Sequence, residues 1–96
     1  MAEYNISIDS SGDPSPSDLD CKPGDKITWT NNYSEAVESF TLPSCVSPQT
    51  DPAPIAVGAT TRKYEVNSGT KGAYDYGYVL PDADGDPRSG TIDVGA

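Results

Sequence analysis

The segment Asp82-Ala83-Asp84-Gly85-Asp86 combines residue types and spacing that could bind a cation. Three carboxylates at alternate positions can direct oxygen atoms at one Ca²⁺ ion when a glycine permits a tight turn. The segment departs from an EF-hand loop, which needs glycine at its sixth position, where this chain has Pro87. A solvated acidic loop, with Asp and Gly as turn formers, explains the same composition. Two interpretations therefore stay open: an acidic turn, or a weak Ca²⁺ site formed by Asp82, Asp84 and Asp86.

The two cysteines, Cys21 and Cys45, are the other candidates for redox or metal chemistry. The chain contains no histidine, which excludes serine–histidine and cysteine–histidine catalysis, His-ligated zinc and ordinary blue-copper ligation. We favour a structural disulfide between Cys21 and Cys45, with a pair of free thiols as the alternative. Because disulfides persist in oxidising compartments, this interpretation predicts a periplasmic or secreted protein. No signal peptide is visible at the N-terminus.

The charge of the chain limits the partners that it can bind. Fifteen acidic and six basic residues give a formal net charge of −9. Nucleic acid and anionic membrane surfaces are disfavoured as partners, because both require a surplus of Lys and Arg. A protein partner with a basic surface is compatible with this charge. No sequence feature places two of the carboxylates together in a cleft, so we do not expect an enzyme.

Short segments of alternating apolar and polar residues, separated by turn clusters, predict an all-β fold. The 96 residues suit one domain covering 1–96, which we expect to be a monomer. Six to eight strands at this spacing favour a Greek-key β-sandwich. Residues 81–88 are predicted to form a loop. The predicted strands are 4–8, 19–21, 26–30, 37–42, 60–66, 73–80 and 89–94.

Aromatic residues mark the predicted core. Tyr74, Tyr76 and Tyr78 share one face of the strand 73–80 with Leu80, and we assign that face to the interior. Trp29, in the middle of another alternating segment, is assigned to the core as well. Tyr33 differs because it lies in a predicted loop. It either packs against that loop or belongs to a contact surface for a protein partner.

Three segments, in order and spacing, resemble the cupredoxin family. Residues 22–31 (KPGDKITWTN) are similar to the turn and strand that have the pattern x-V-x-W-x-N in cupredoxins. Residues 72–80 (GAYDYGYVL) are similar to the family's G-x-Y-x-Y/F-x-C strand, and residues 90–94 (GTIDV) to its closing G-x-I-x-V strand. The resemblance spans nearly the whole chain. It implies a cupredoxin-like sandwich.

The resemblance also implies where type-1 copper ligands would lie. In plastocyanin-type members those ligands are His, Cys, His and Met, and the matching positions here are Val37, Leu80, Ala83 and Arg88. The side chains of Val, Leu and Ala have no lone pair to donate, and Arg is a permanent cation. We therefore expect a copper-free, cupredoxin-like domain without a cofactor, acting as a non-enzymatic binding or structural module.

Two alternative functions remain. One is a copper electron-transfer protein with a non-standard site, which would require Cys21 or Cys45 to reach the metal. The other is a Ca²⁺-stabilised domain that uses the carboxylates of residues 82–86.

Overall fold

The computed structural model describes residues 2–80 and 86–95, which form a two-layer β-sandwich. The first sheet has the strand order β2-β1-β4-β7-β6, and the second has the order β3-β9-β8-β5. No helix in the described ranges could cross a membrane. The strands are β1 (Glu3–Ile8), β2 (Pro14–Ser15), β3 (Asp18–Cys21), β4 (Lys26–Asn31), β5 (Ser39–Thr41), β6 (Val46–Ser47), β7 (Tyr64–Val66), β8 (Gly72–Leu80) and β9 (Asp86–Val94).

The all-β sandwich predicted from the sequence is confirmed. The described residues contain nine strands rather than six to eight, because β2 and β6 are two-residue pairings that are too short to show alternation. The chain crosses between the layers. As a result, β1 pairs in parallel with β4 in the first sheet, and β3 pairs in parallel with β9 in the second.

Trp29 lies at the centre of the core between the two sheets, as predicted. It is fully buried, and its ring meets those of Phe40, Tyr64 and Tyr76 edge-on at centroid distances of 5.1, 5.7 and 5.3 Å. Edge-to-face pairs of this kind contribute roughly 0.5–1.5 kcal/mol each beyond their buried area. The aromatic cluster therefore joins strands of both layers through one indole.

The aromatic face of β8 also points into the core, as predicted. Tyr76 and Tyr78 are each 2% exposed and Leu80 is fully buried, whereas Tyr74 is half-buried at the edge of the core. Phe40 stacks on both tyrosines, with ring centroids 6.0 Å from Tyr76 and 5.8 Å from Tyr78. The period-two pattern of β8 thus fixes which of its faces is buried.

Strand β9 begins earlier than the sequence indicates. Pro87 and Arg88 were expected in a loop, but both belong to β9 and pair with Val79 and Tyr78 of β8. Proline lacks an N–H, so it is tolerated in a sheet only where no neighbouring strand needs that donor. This condition holds because β3 pairs with β9 only from Thr91 onward.

The predicted disulfide between Cys21 and Cys45 is not formed, and this prediction is corrected. Both residues are buried free cysteines. Cys21 ends β3 in the second sheet and Cys45 precedes β6 in the first, and the two thiols are neighbours in the interior without being bonded. There each packs as a small apolar side chain, a common environment for free cysteine.

Candidate functional site

Three of the positions that match copper ligands lie at one end of the sandwich. β5 pairs Ser39 with Val79, which places Val37 beyond the end of that ladder and next to the end of β8, where Leu80 lies. Arg88 pairs with Tyr78 near the same end of β9. The fourth position, Ala83, lies outside the described residues.

The two aliphatic side chains at this end are fully buried. Val37 and Leu80 both have 0% exposure. Val37 is held by two reciprocal backbone hydrogen bonds with Ile55, at 3.0 Å from Val37 N to Ile55 O and 2.8 Å from Ile55 N to Val37 O. Its backbone is therefore fixed as firmly as that of a strand residue, and its side chain fills the interior.

A tight loop over residues 9–13 covers Leu80. The Asp9 carboxylate holds the loop by accepting hydrogen bonds from the N–H groups of Ser11 (2.9 Å) and Asp13 (3.0 Å). Gly12 has a φ of +85°, and a Cβ at this position would overlap the Leu80 side chain. Glycine is therefore required both by the backbone conformation and by the close approach to Leu80.

Tyr33 lies beside this loop. A Cβ on Gly12 would be 3.4 Å from the Tyr33 ring, and the ring is half-buried against the core. We refer to Gly12, Tyr33, Val37, Leu80 and Arg88 together as the closed end. A role for Tyr33 in partner contact stays a prediction.

Asn31 supports the closed end from within, and the sequence analysis did not identify it. Its side chain is fully buried, and its amide Nδ2 donates to the carbonyl oxygens of Glu35 (2.9 Å) and Ile55 (3.0 Å). Its Oδ1 accepts from the Tyr33 N–H at 2.9 Å. The available signal was its position two residues after Trp29, on the inward face of β4.

Arg88 brings a positive charge to the closed end. It shares the inward-facing register of β9 with Gly90 and Ile92, and its side chain is 30% exposed. Its Nε lies 3.7 Å from Asp13 Oδ1, which forms an ion pair with it. A pair of this exposure contributes roughly 0–1 kcal/mol.

These residues do not fit a type-1 copper ion. Blue copper needs a thiolate and two imidazoles, whereas the closed end offers two aliphatic side chains and a guanidinium. Within residues 2–80 and 86–95, no three His, Cys, Asp or Glu side chains are grouped so that they could hold a metal ion. The side chains at the closed end therefore cannot supply the copper ligands that the resemblance to cupredoxins would imply.

The cysteines lie at the other end of the molecule. Cys21 pairs with Val94, at the far end of β9 from Arg88, and Cys45 precedes the pairing of Val46 with Val66. Burial, followed by the neighbouring Cys45 and nearby aspartates, raises the pKa of Cys21 to about 11, and burial also raises the pKa of Cys45. Both thiols are therefore protonated at neutral pH, and a thiol in that state is a poor metal ligand and nucleophile.

The candidate Ca²⁺ site falls largely outside the described residues. Asp82 and Asp84 are not described, and Asp86 is described only as the backbone residue of β9 that pairs with Leu80. Both interpretations of the acidic segment therefore stay predictions.

A matched pair of tyrosine variants tests the packing at the closed end. Tyr78 Oη donates a buried hydrogen bond to the Gly12 carbonyl at 2.7 Å, whereas the buried Tyr76 Oη has no hydrogen-bond partner among the described residues. We expect Tyr78→Phe to lower the free energy of unfolding by about 1–2 kcal/mol, because the Gly12 carbonyl loses its partner. Tyr76→Phe should be neutral or slightly stabilising. Urea unfolding of both variants measures the difference, and equal losses would contradict this assignment of the two hydroxyls.

No protein-family model matches the sequence, and no curated protein matches it either. Solved structures do match. A purple cupredoxin from Nitrosopumilus maritimus superposes with a TM-score of 0.66 at 19% identity, covering 95% of this chain and 98% of its own. A fern plastocyanin gives 0.59 at 16% identity over 94% and 98%. A Sinorhizobium pseudoazurin gives 0.58 at 20% identity over 100% and 76%. At these sequence identities the similarity establishes only the fold. The chemistry has to be inferred from the residues of this chain.

Proposed function

We propose that this domain, whose fold is that of the cupredoxins, works without type-1 copper as a non-enzymatic binding or structural module. The observation that carries the proposal is the packing of the closed end. Val37 and Leu80 are fully buried there, and Gly12 is seated directly on Leu80. The interior volume that a ligand set would need is filled by side chains without lone pairs.

Electrostatics supports the same conclusion. The Arg88 guanidinium places a positive charge at the closed end. Such a charge would repel a copper ion, while the Asp13 carboxylate 3.7 Å away already serves as its counter-ion. Electron transfer through type-1 copper is therefore not the function that this arrangement supports.

The surface at the closed end is compatible with a binding or structural role. In the part of this end that the structure describes, the interior is filled by Val37 and Leu80, whose side chains cannot perform acid–base chemistry. The half-buried Tyr33 ring sits at its rim, where an aromatic side chain can anchor a protein contact. We include an extracytoplasmic location in the proposal, because cupredoxins are typically periplasmic or secreted. Fractionation of the source cells, with an antibody against the domain, tests that location.

Titration of the wild-type protein with Cu²⁺ tests the copper-free proposal. We expect no intense visible charge-transfer band, because such a band requires a copper–thiolate bond, and both thiols are buried and protonated. The melting temperature should also stay constant at equimolar Cu²⁺, since a ligand of the native state would raise it.

The C21S and C45S variants serve as controls for the titration. A strong band in the wild type that either substitution removes would replace this proposal with a non-standard copper site. A band that persists in each single variant would indicate that either thiol can bind copper, which would equally contradict the copper-free assignment.

A further inference from the structure

The outer faces of the two sheets differ in how their charges are balanced. On the first sheet the charged side chains are paired: Lys26 Nζ lies 2.9 Å from Glu65 Oε1, and Lys63 Nζ lies 2.8 Å from Glu3 Oε1. The outward positions of the second sheet include no Lys or Arg in the described part of its four strands. They include four aspartates, which are Asp18, Asp20, Asp75 and Asp93.

Two of these aspartates are direct neighbours. Asp20 of β3 is in register with Asp93 of β9. Like charges in such a position destabilise a sheet. Asp75 accepts a hydrogen bond from Thr91 Oγ1 at 3.1 Å, whereas neither Asp20 nor Asp93 makes a side-chain hydrogen bond or ion pair to any residue that the structure describes. A cation placed beside this pair would relieve the like-charge contact.

A cavity opens directly beside this pair. Its volume is about 640 Å³, and its lining includes Asp20, Asp93, Cys21 and Tyr4. Ligand pockets in proteins typically measure about 300–1,000 Å³, so the cavity can admit a long side chain or a small molecule. The half-buried ring of Tyr4 supplies an aromatic wall, which attracts cations through its π face.

The Cys21 side chain forms part of the wall of this cavity. It is 5% exposed and has no hydrogen-bond partner in the described ranges. After burial and Cys45, the charges of Asp25, Asp20 and Asp93 contribute to the raised pKa of Cys21. The carboxylates therefore lie close enough to the cavity wall to influence a group within it.

No side chain in the described part of the protein forms an ion pair with Asp20 or Asp93. Asp25 also lines the cavity, but its carboxylate accepts hydrogen bonds from the N–H groups of Ala2 (3.0 Å) and Lys22 (2.9 Å) and is committed to that turn. Lys22 also lines the cavity, but its exposed side chain makes no ion pair with a described residue. Asp20 and Asp93 therefore have no ion-pair partner among the described residues.

We infer that this cavity binds a lysine or arginine side chain of a basic protein segment that lies across the outer face of the second sheet. The inference rests on the proposed function as a binding module and names the chemistry of its partner. The cationic group would donate to Asp20 and Asp93 and stack on Tyr4. A bare metal ion fits less well, because no three metal-binding side chains are grouped among the residues described.

Fluorescence anisotropy with a labelled oligolysine peptide at low salt tests this inference. The variants compared are D20N/D93N and the control E35Q/E38Q, which removes the same two charges from the loop before β5. We expect D20N/D93N to weaken binding about tenfold and the control to weaken it less than about threefold. The same peptide with acetylated lysines should not bind, because acetylation removes the charge.

The outcomes distinguish a specific binding site at Asp20 and Asp93 from general electrostatic attraction between the peptide and an acidic protein. Equal losses in the two variants, or no binding of oligolysine by the wild type, would overturn the inference. Thermal melts provide a folding check, since D20N/D93N should melt no lower than the wild type once the like-charge pair is relieved. The copper titration has an independent readout, so failure of the cationic site and failure of the copper-free function can be told apart.

Discussion

Replacing Asn31 by alanine should lower the free energy of unfolding by about 3–4 kcal/mol, although Asn31 is neither charged nor part of the aromatic cluster. Its fully buried amide makes three hydrogen bonds, two to the carbonyls of Glu35 and Ile55 and one from the Tyr33 N–H. Each buried partner left unsatisfied costs roughly 1–3 kcal/mol. In a domain of this size, the loss should lower Tm by roughly 15–25 °C.

Asn32→Ala is the matched control for this substitution. Asn32 is the next residue in the chain, but it is exposed, and its amide makes one long hydrogen bond, 3.3 Å to Ser7 Oγ. We expect a change within about 0.5 kcal/mol for Asn32→Ala. Urea unfolding followed by the Trp29 fluorescence measures both variants. A loss for Asn31→Ala as small as that of Asn32→Ala would show that Asn31 does not hold the closed end together.

The contrast between Trp29 and Asn31 shows what the sequence could and could not predict. Both side chains are buried by the same period-two alternation of β4, and this local rule was enough to assign Trp29 to the core. Asparagine is usually exposed or in a turn, so its burial depends on partners elsewhere in the fold. Its two acceptors, Glu35 and Ile55, lie on separate segments that only the tertiary structure brings together.

The position of the loop at residues 9–13 over Leu80 could not be predicted from the sequence for the same reason. Its composition indicates a turn, but the contact between Gly12 and Leu80 joins residues far apart in the chain. The cysteines illustrate a related limit, because two cysteines in a small domain suggest a disulfide by number alone. Pairing depends on the tertiary structure around each thiol, and here both thiols are buried and free.

Installing the four ligands at the matching positions should convert this domain into a blue copper protein. The variant V37H/L80C/A83H/R88M is expected to show an intense visible band with Cu²⁺, because it restores the thiolate and the two imidazoles of the plastocyanin-type pattern, and Val37 and Leu80 lie at the same end of the sandwich. The substitutions also remove the Arg88 cation, leaving Asp13 without its partner at 3.7 Å. The band should appear at one copper per chain.

A control with Leu80→Ser in place of Leu80→Cys, and the other three substitutions unchanged, isolates the role of the thiolate. Serine nearly matches the size of cysteine but cannot form the copper–thiolate bond, so this control variant should stay colourless. Circular dichroism establishes whether each variant keeps its β structure. A folded four-ligand variant that binds no copper would show that Val37 and Leu80 are buried at this end without the geometry of a ligand set. A blue variant would show that the fold retains that geometry, so that only the identity of the side chains excludes copper from the natural chain.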